Sequence, residues 1–162
     1  MSQPKISSSQ LSLDSFRASM SAGVSVPTGV ETVLPFDRIT GTWFGVDMFD
    51  TTGLYNSGTY TFTPSISGVY VFSVRAKWVS SPSLGSKYRW QLLLKNGSTY
   101  LASNSIYYQP SFLEDFSMMI NTTVSLSAGS VITAYAYQDS GSSVTIGTAQ
   151  PTFNEFSGYK LG

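Results

Sequence analysis

The chain has 162 residues and a mass of 17.5 kDa, which suits one domain with a substantial core. Apolar residues make up 41% and charged residues only 11%, against roughly 25% charged in an ordinary globular protein, and nine basic residues cancel nine acidic ones. That balance removes the basic footprint of a nucleic-acid or polybasic membrane binder, and the lack of Cys and His removes disulfides, thiolate nucleophiles, sulfur-based zinc sites and the usual general base near pH 7.

Residues 1–12 are polar and Ser-rich and are expected to form a flexible arm, leaving 13–162 as the folded domain. The start MSQPKISSSQ lacks the apolar run of a signal peptide, and no stretch reaches the ~20 apolar residues of a membrane span. A short first strand is expected over 15–21. Gly23, Pro27 and Gly29 then break the pattern, and 33–36 reads as a short edge. Strands over 42–46 and 60–63 follow, separated by a loop with Gly53, Asn56 and Gly58.

The clearest alternation lies in GTYTFTPSISGVYVFSVRAKW, residues 58–78. Tyr70, Phe72, Val74, Ala76 and Trp78 share one face there, and Val69, Val71, Ser73, Arg75 and Lys77 share the other. A period of two with one aromatic face predicts an antiparallel strand with that face buried. Residues 87–95 put Tyr88, Trp90, Leu92 and Leu94 on one face, so Tyr70, Phe72, Trp90 and Leu92 are the expected core. Asn96-Gly97 is a strong hairpin signal, returning the chain through 100–106. Phe116, Met118, Ile120, Thr122, Val124 and Leu126 alternate in the next strand, and Ala128-Gly129 turns into 131–138. Strands over 144–146 and 153–161 close the series. No segment carries a helical stripe long enough to cover a sheet. Eight to ten strands with Gly and Pro turns imply an all-β antiparallel sandwich or jelly roll.

In their order and spacing the motifs resemble the globular head domain of the first complement component, within the tumour necrosis factor-like superfamily. The likeness runs from Phe16-Arg17-Ala18 through Val33-Leu34-Pro35-Phe36-Asp37 and Tyr55-Asn56. It continues in Gly58-x-Tyr60-x-Phe62-x-Pro64, Gly68-Val69-Tyr70-Val71-Phe72 and Leu94-x-Asn96-Gly97, then Leu126-x-Ala128-Gly129-x-Val131 and Phe156-Ser157-Gly158-Tyr159-x-Leu161. The resemblance implies jelly-roll topology and a homotrimer that recognises rather than catalyses. Many animal members carry a Cys near the position of Phe62 and follow a collagen-like stalk; this chain has neither. It therefore resembles a microbial or bacteriophage relative, expected on a virion as a fibre end or capsid decoration, or outside the cell after lysis. The arm would then reach a virion scaffold, and the head a cell-surface glycan or protein. A bacterial surface adhesion module is the first alternative.

Strands with apolar residues on both faces need a second cover, by a loop or another subunit. Phe62, Met119, Phe156 and Tyr159 are accordingly the candidates for the trimer interface. Tyr107 and Tyr108 are candidate ligand contacts, with Tyr100, Tyr135 and Tyr137 as further aromatic surface for sugar or protein. The functional surface is expected in loops at one end of the trimer, in segments 45–58, 80–86, 103–115 and 139–143. No cofactor is expected. Asp47 and Asp50 in a loop-like GVDMFDTTG stretch, and Glu114 with Asp115, are the weak candidates for calcium, but no twelve-residue EF-hand pattern is present. An acidic pair drawn from the nine carboxylates would make the chain a carbohydrate-active enzyme, the alternative from another class.

Overall fold

The computed structural model describes residues 14–43, 45–79, 88–108, 115–147 and 153–161, and the expected arm at 1–12 lies outside the described residues. The described residues form fourteen strands and no helix. The early strands are β1 (Ser15–Ser19), β2 (Val24–Val26), β3 (Thr32–Val33), β4 (Gly41–Trp43), β5 (Val46–Asp50), β6 (Tyr55–Asn56) and β7 (Thr61–Phe62). The later ones are β8 (Gly68–Trp78), β9 (Tyr88–Asn96), β10 (Thr99–Tyr108), β11 (Phe116–Leu126), β12 (Ile132–Gln138), β13 (Val144–Ile146) and β14 (Glu155–Lys160).

They build two antiparallel sheets. The eight-stranded sheet runs β2-β13-β8-β14-β1-β5-β4, with β11 on the other edge of β8, and the six-stranded sheet runs β10-β9-β12-β7-β6, with β3 on β12. β11 pairs with β8 over its full length, from Phe116 opposite Trp78 to Leu126 opposite Gly68. The period-two reading of 68–78 holds throughout: Tyr70, Phe72, Val74, Ala76 and Trp78 are fully buried. Trp90, Leu92 and Leu94 meet them from the six-stranded sheet, with Trp78 and Trp90 rings 4.5 Å apart.

At the other end the two sheets are joined by aromatic rings. Phe16 lies 4.8 Å from Tyr55, 4.9 Å from Phe62 and 4.9 Å from Phe156, in two stacked contacts and one edge-on contact. Each such Phe, taken from water, contributes about 1.5–3 kcal/mol. Tyr55 keeps its polar tip satisfied by donating to the Phe36 carbonyl at 2.8 Å. Burial pushes its phenol far above the usual tyrosine range.

Three expectations need correction. Residues 42–46 do not make one strand: β4 and β5 fold back as a hairpin, pairing Trp43 with Val46 around Gly45 at φ 76°. The loop-like stretch holding Asp47 and Asp50 is in fact strand β5. The interval around Gly23, read as a break, contains β2, which pairs with β13.

Candidate functional site

The outer surface of the eight-stranded sheet is built by the residues that alternate with the core. On β8 these are Val69, Val71, Ser73, Arg75 and Lys77, with Val69 41% exposed. Register then places Ser15, Tyr159, Val71 and Thr123 in one row across β1, β14, β8 and β11. The next row is Arg17, Ser157, Ser73 and Asn121, and Arg75 lies between Glu155 and Met119. Small residues at the centre therefore leave a flat floor, rimmed by Tyr159 and Met119 at 45% and 44% exposure. Phe49, opposite Arg17 on β5, extends the apolar rim.

A groove of about 330 Å³ opens on this surface, lined by Arg17, Phe49, Glu155, Ser157, Gly158 and Tyr159 among others. Gly158 turns toward the core, where any side chain would meet Phe16 and Phe72, so only its backbone lines the groove. Arg17 donates to Glu155 at 2.6 Å, and the Ser157 hydroxyl donates to the same carboxylate at 3.0 Å. The Arg17 and Glu155 charges thus compensate each other, and the exposed remainder combines the apolar Phe49, Met119 and Tyr159 with Arg75. Pairing of Arg17 with Glu155 lowers the cost of burying that part of the surface against a second one.

The four interface candidates divide accordingly. Met119 and Tyr159 stand on this outer surface, but Phe62 and Phe156 are 1% and 0% exposed inside the sandwich. The correction has a simple cause. Phe62 and Phe156 point to the side where Phe16 and Phe72 fill the space between sheets, and no second cover is needed. The core candidates Tyr70, Phe72, Trp90 and Leu92 are all fully buried. Burial also raises the Tyr70 phenol above its usual range, and its hydroxyl donates to the Ile66 carbonyl at 2.7 Å.

The acidic candidates do not converge. Asp47 and Asp50 are three residues apart on β5, so they point to opposite faces. The Thr42 hydroxyl donates to Asp47. Asp50 accepts the backbone N–H groups of Gly53, Leu54 and Tyr55 at 3.1, 3.3 and 3.0 Å, which organises the turn after β5. Asp115 pairs with Lys77 at 2.7 Å, while Glu114 lies outside the described residues. Among the described residues no group of three or more His, Cys, Asp or Glu is placed to hold a metal ion.

The expected loop surface also changes form. Residues 46–50 and 103–108 are strand, 80–86 and 109–114 lie outside the described residues, and 139–143 is a loop. Tyr107 is 74% exposed near the end of β10, opposite Arg89, on the outer surface of the six-stranded sheet. The side chain of Tyr108 lies outside the described residues.

No protein-family model matches the chain, and no curated protein matches it. Among solved structures, that of an Eiger tumour necrosis factor from S. frugiperda superposes with a TM-score of 0.64, covering 93% of each chain at 14% identity. The fold is a tumour necrosis factor-like jelly roll. The agreement spans 93% of each chain, so it supports the fold that the complement-head resemblance implied. At that identity the likeness concerns backbone architecture alone.

Proposed function

We propose that this chain is a non-enzymatic recognition or structural module that works as a homotrimer, with the outer surface of the eight-stranded sheet at the three-fold axis. One observation carries the reading: Val69, Met119, Phe49 and Tyr159 are each 40–45% exposed on one sheet surface, where Arg17 and Glu155 pair. Closed symmetry lets every copy bury the same patch. The neutral composition opposes association only weakly. Phe49 or Tyr159 from a neighbouring copy would pack into the groove over β1 and β14.

Sedimentation equilibrium tests it directly. The expected species has three times the 17.5 kDa chain mass, and Tyr159→Asp with Met119→Lys converts it to a folded monomer. A wild-type monomer at every concentration would overturn the trimer. A virus particle, above all a bacteriophage, is the setting we infer from a head-like domain that lacks both Cys and His. Antibody labelling of purified particles checks that setting separately.

A further inference from the structure

The six-stranded sheet carries a second groove, of about 370 Å³, on the surface opposite the proposed axis. Its construction follows from register. Arg89, Gln91, Leu93 and Lys95 alternate with the buried Trp90, Leu92 and Leu94 on β9. Their direct partners on β10 are Tyr107, Ser105, Ser103 and Tyr100, and Tyr135 and Tyr137 lie beside Leu93 and Gln91 on β12. Leu93 is only 2% exposed although it faces outward, so the surrounding side chains wall it in as an apolar floor. The register of β10 shifts between Tyr100 and Ala102. Such a bulge bends a strand and re-aims its side chains, here at the end where Tyr100 joins the wall.

The polar groups of the groove are balanced in charge. Lys95 donates to Glu31 at 2.7 Å, and the Tyr100 hydroxyl donates to the same carboxylate. The Lys95 ammonium lies 4.7 Å from the Tyr100 ring centre and 5.1 Å from that of Tyr135. Arg89 sits 5.0 Å over the Tyr137 ring and 3.8 Å from the Asp139 carboxylate. The Gln91 amide donates to the Ser105 hydroxyl at 2.7 Å. Two cations and two carboxylates leave no net charge to attract a phosphate, a sulfate or a metal.

We propose that this groove binds a neutral pyranose, as a free sugar or the end of a glycan. A pyranose has an apolar C–H face for a tyrosine ring and hydroxyls that both donate and accept. The groove offers both complements: tyrosine rings over an apolar Leu93 floor, and donors and acceptors in Arg89, Gln91, Ser103 and Glu31. Its size falls at the lower end of the roughly 300–1,000 Å³ of small-molecule sites, enough for one or two rings. Tyr107, exposed beside Arg89, extends the platform for a second residue of a chain. The proposal rests on the recognition half of the function above and not on the trimer.

The test is a titration of the isotope-labelled protein with the methyl pyranosides of glucose, galactose, mannose and N-acetylglucosamine, read by amide chemical shifts. At least one probe is expected to give saturable shifts on β9 and β12 around Gln91 and Tyr137, with a Kd near ~1 mM. Gln91→Ala and Tyr137→Ala, each with an otherwise unchanged spectrum, are expected to weaken it at least ~10-fold, equivalent to about 1.4 kcal/mol. The monomeric Tyr159→Asp, Met119→Lys variant is expected to bind each sugar as the wild type does, so loss of the trimer and loss of the site are separable. Absence of saturable shifts with all four sugars, equal shifts with glycerol, or unchanged binding in both groove variants overturns the proposal.

Discussion

Gly158 shows how closely one atom can be specified. A methyl built there would sit 2.5 Å from Phe72 Cδ1, 2.7 Å from Cε1 and 2.9 Å from Phe16 Cε1. Both rings are already held by Phe62 and Phe156, so they have little freedom to yield. Gly158→Ala is therefore expected to destabilise the fold by about 1–3 kcal/mol. The urea midpoint should fall at constant slope. An unchanged midpoint would show that the rings repack. The Glu31–Lys95 pair makes a second prediction at this scale. Its hydrogen bond to Lys95 holds the Glu31 carboxyl below its usual range, and Glu31 holds the Lys95 ammonium above its own. The stabilisation from Glu31 is present above the unfolded-state value of about 4.3 and is lost as pH falls through the lower folded value. That from Lys95 is present below about 10.4 and is lost as pH rises through the higher folded value. With the Glu31 side chain 29% exposed, the acid-side effect should be at most about 1 kcal/mol. Comparing wild type with Glu31→Gln between pH 7 and pH 3 measures it: the wild type should lose more stability on acidification. Equal losses would remove the pair from the account.

Among the elements, long strands were legible and short ones only in part: 144–146 coincides with β13 and 60–63 contains β7, but β2 and β6 were missed. β8, β9, β11 and β12 each bury one face for seven residues or more, so period-two alternation accumulates enough repeats to read. β2 and β6 have only two or three residues, and tertiary pairing rather than local pattern makes them strands. The same limit explains the interface candidates. Alternation separates Phe156 from Tyr159 correctly, but it cannot say which face is outside until the second sheet is in place. The tyrosines of the sugar groove were visible as aromatic surface. Glu31 was not, because it reaches Lys95 across 64 positions of sequence. Asp50 was noticed as an oxygen donor, and the structure gives it a role in the turn after β5. Its oxygens take backbone N–H groups, and Asp50→Ala should cost about 1–3 kcal/mol by leaving the turn before Tyr55 without its acceptor. Unfolding by urea, with Asp47→Ala as the exposed control, separates a turn-organising carboxylate from one that accepts the Thr42 hydroxyl at the surface.

At the scale of the whole molecule, the two proposed surfaces lie on opposite sheets of one sandwich. If the eight-stranded sheet faces the axis, the three grooves on the six-stranded sheets point away from it, roughly 120° apart under closed three-fold symmetry. That geometry differs from a cluster of loops at one end, and it changes what multivalency can do. Three sites that face sideways cannot all reach a flat sugar-coated surface below the trimer, so avidity there should stay near the single-site value. A long flexible polysaccharide can pass from groove to groove and from trimer to trimer. Once one site holds it, the next binds at a high effective concentration, strengthening attachment by ~100-fold or more. The expected outcome is that the wild type cross-links a soluble polysaccharide carrying the preferred pyranose, seen as a steep rise in light scattering at equal site concentration. The folded monomeric variant, Tyr159→Asp with Met119→Lys, should bind the same polymer without that rise. Gln91→Ala should keep the trimer and also lose the rise. Tight binding by the trimer to a rigid planar sugar layer, without cross-linking of the soluble polymer, would place the contact at one end of the assembly and not on its sides.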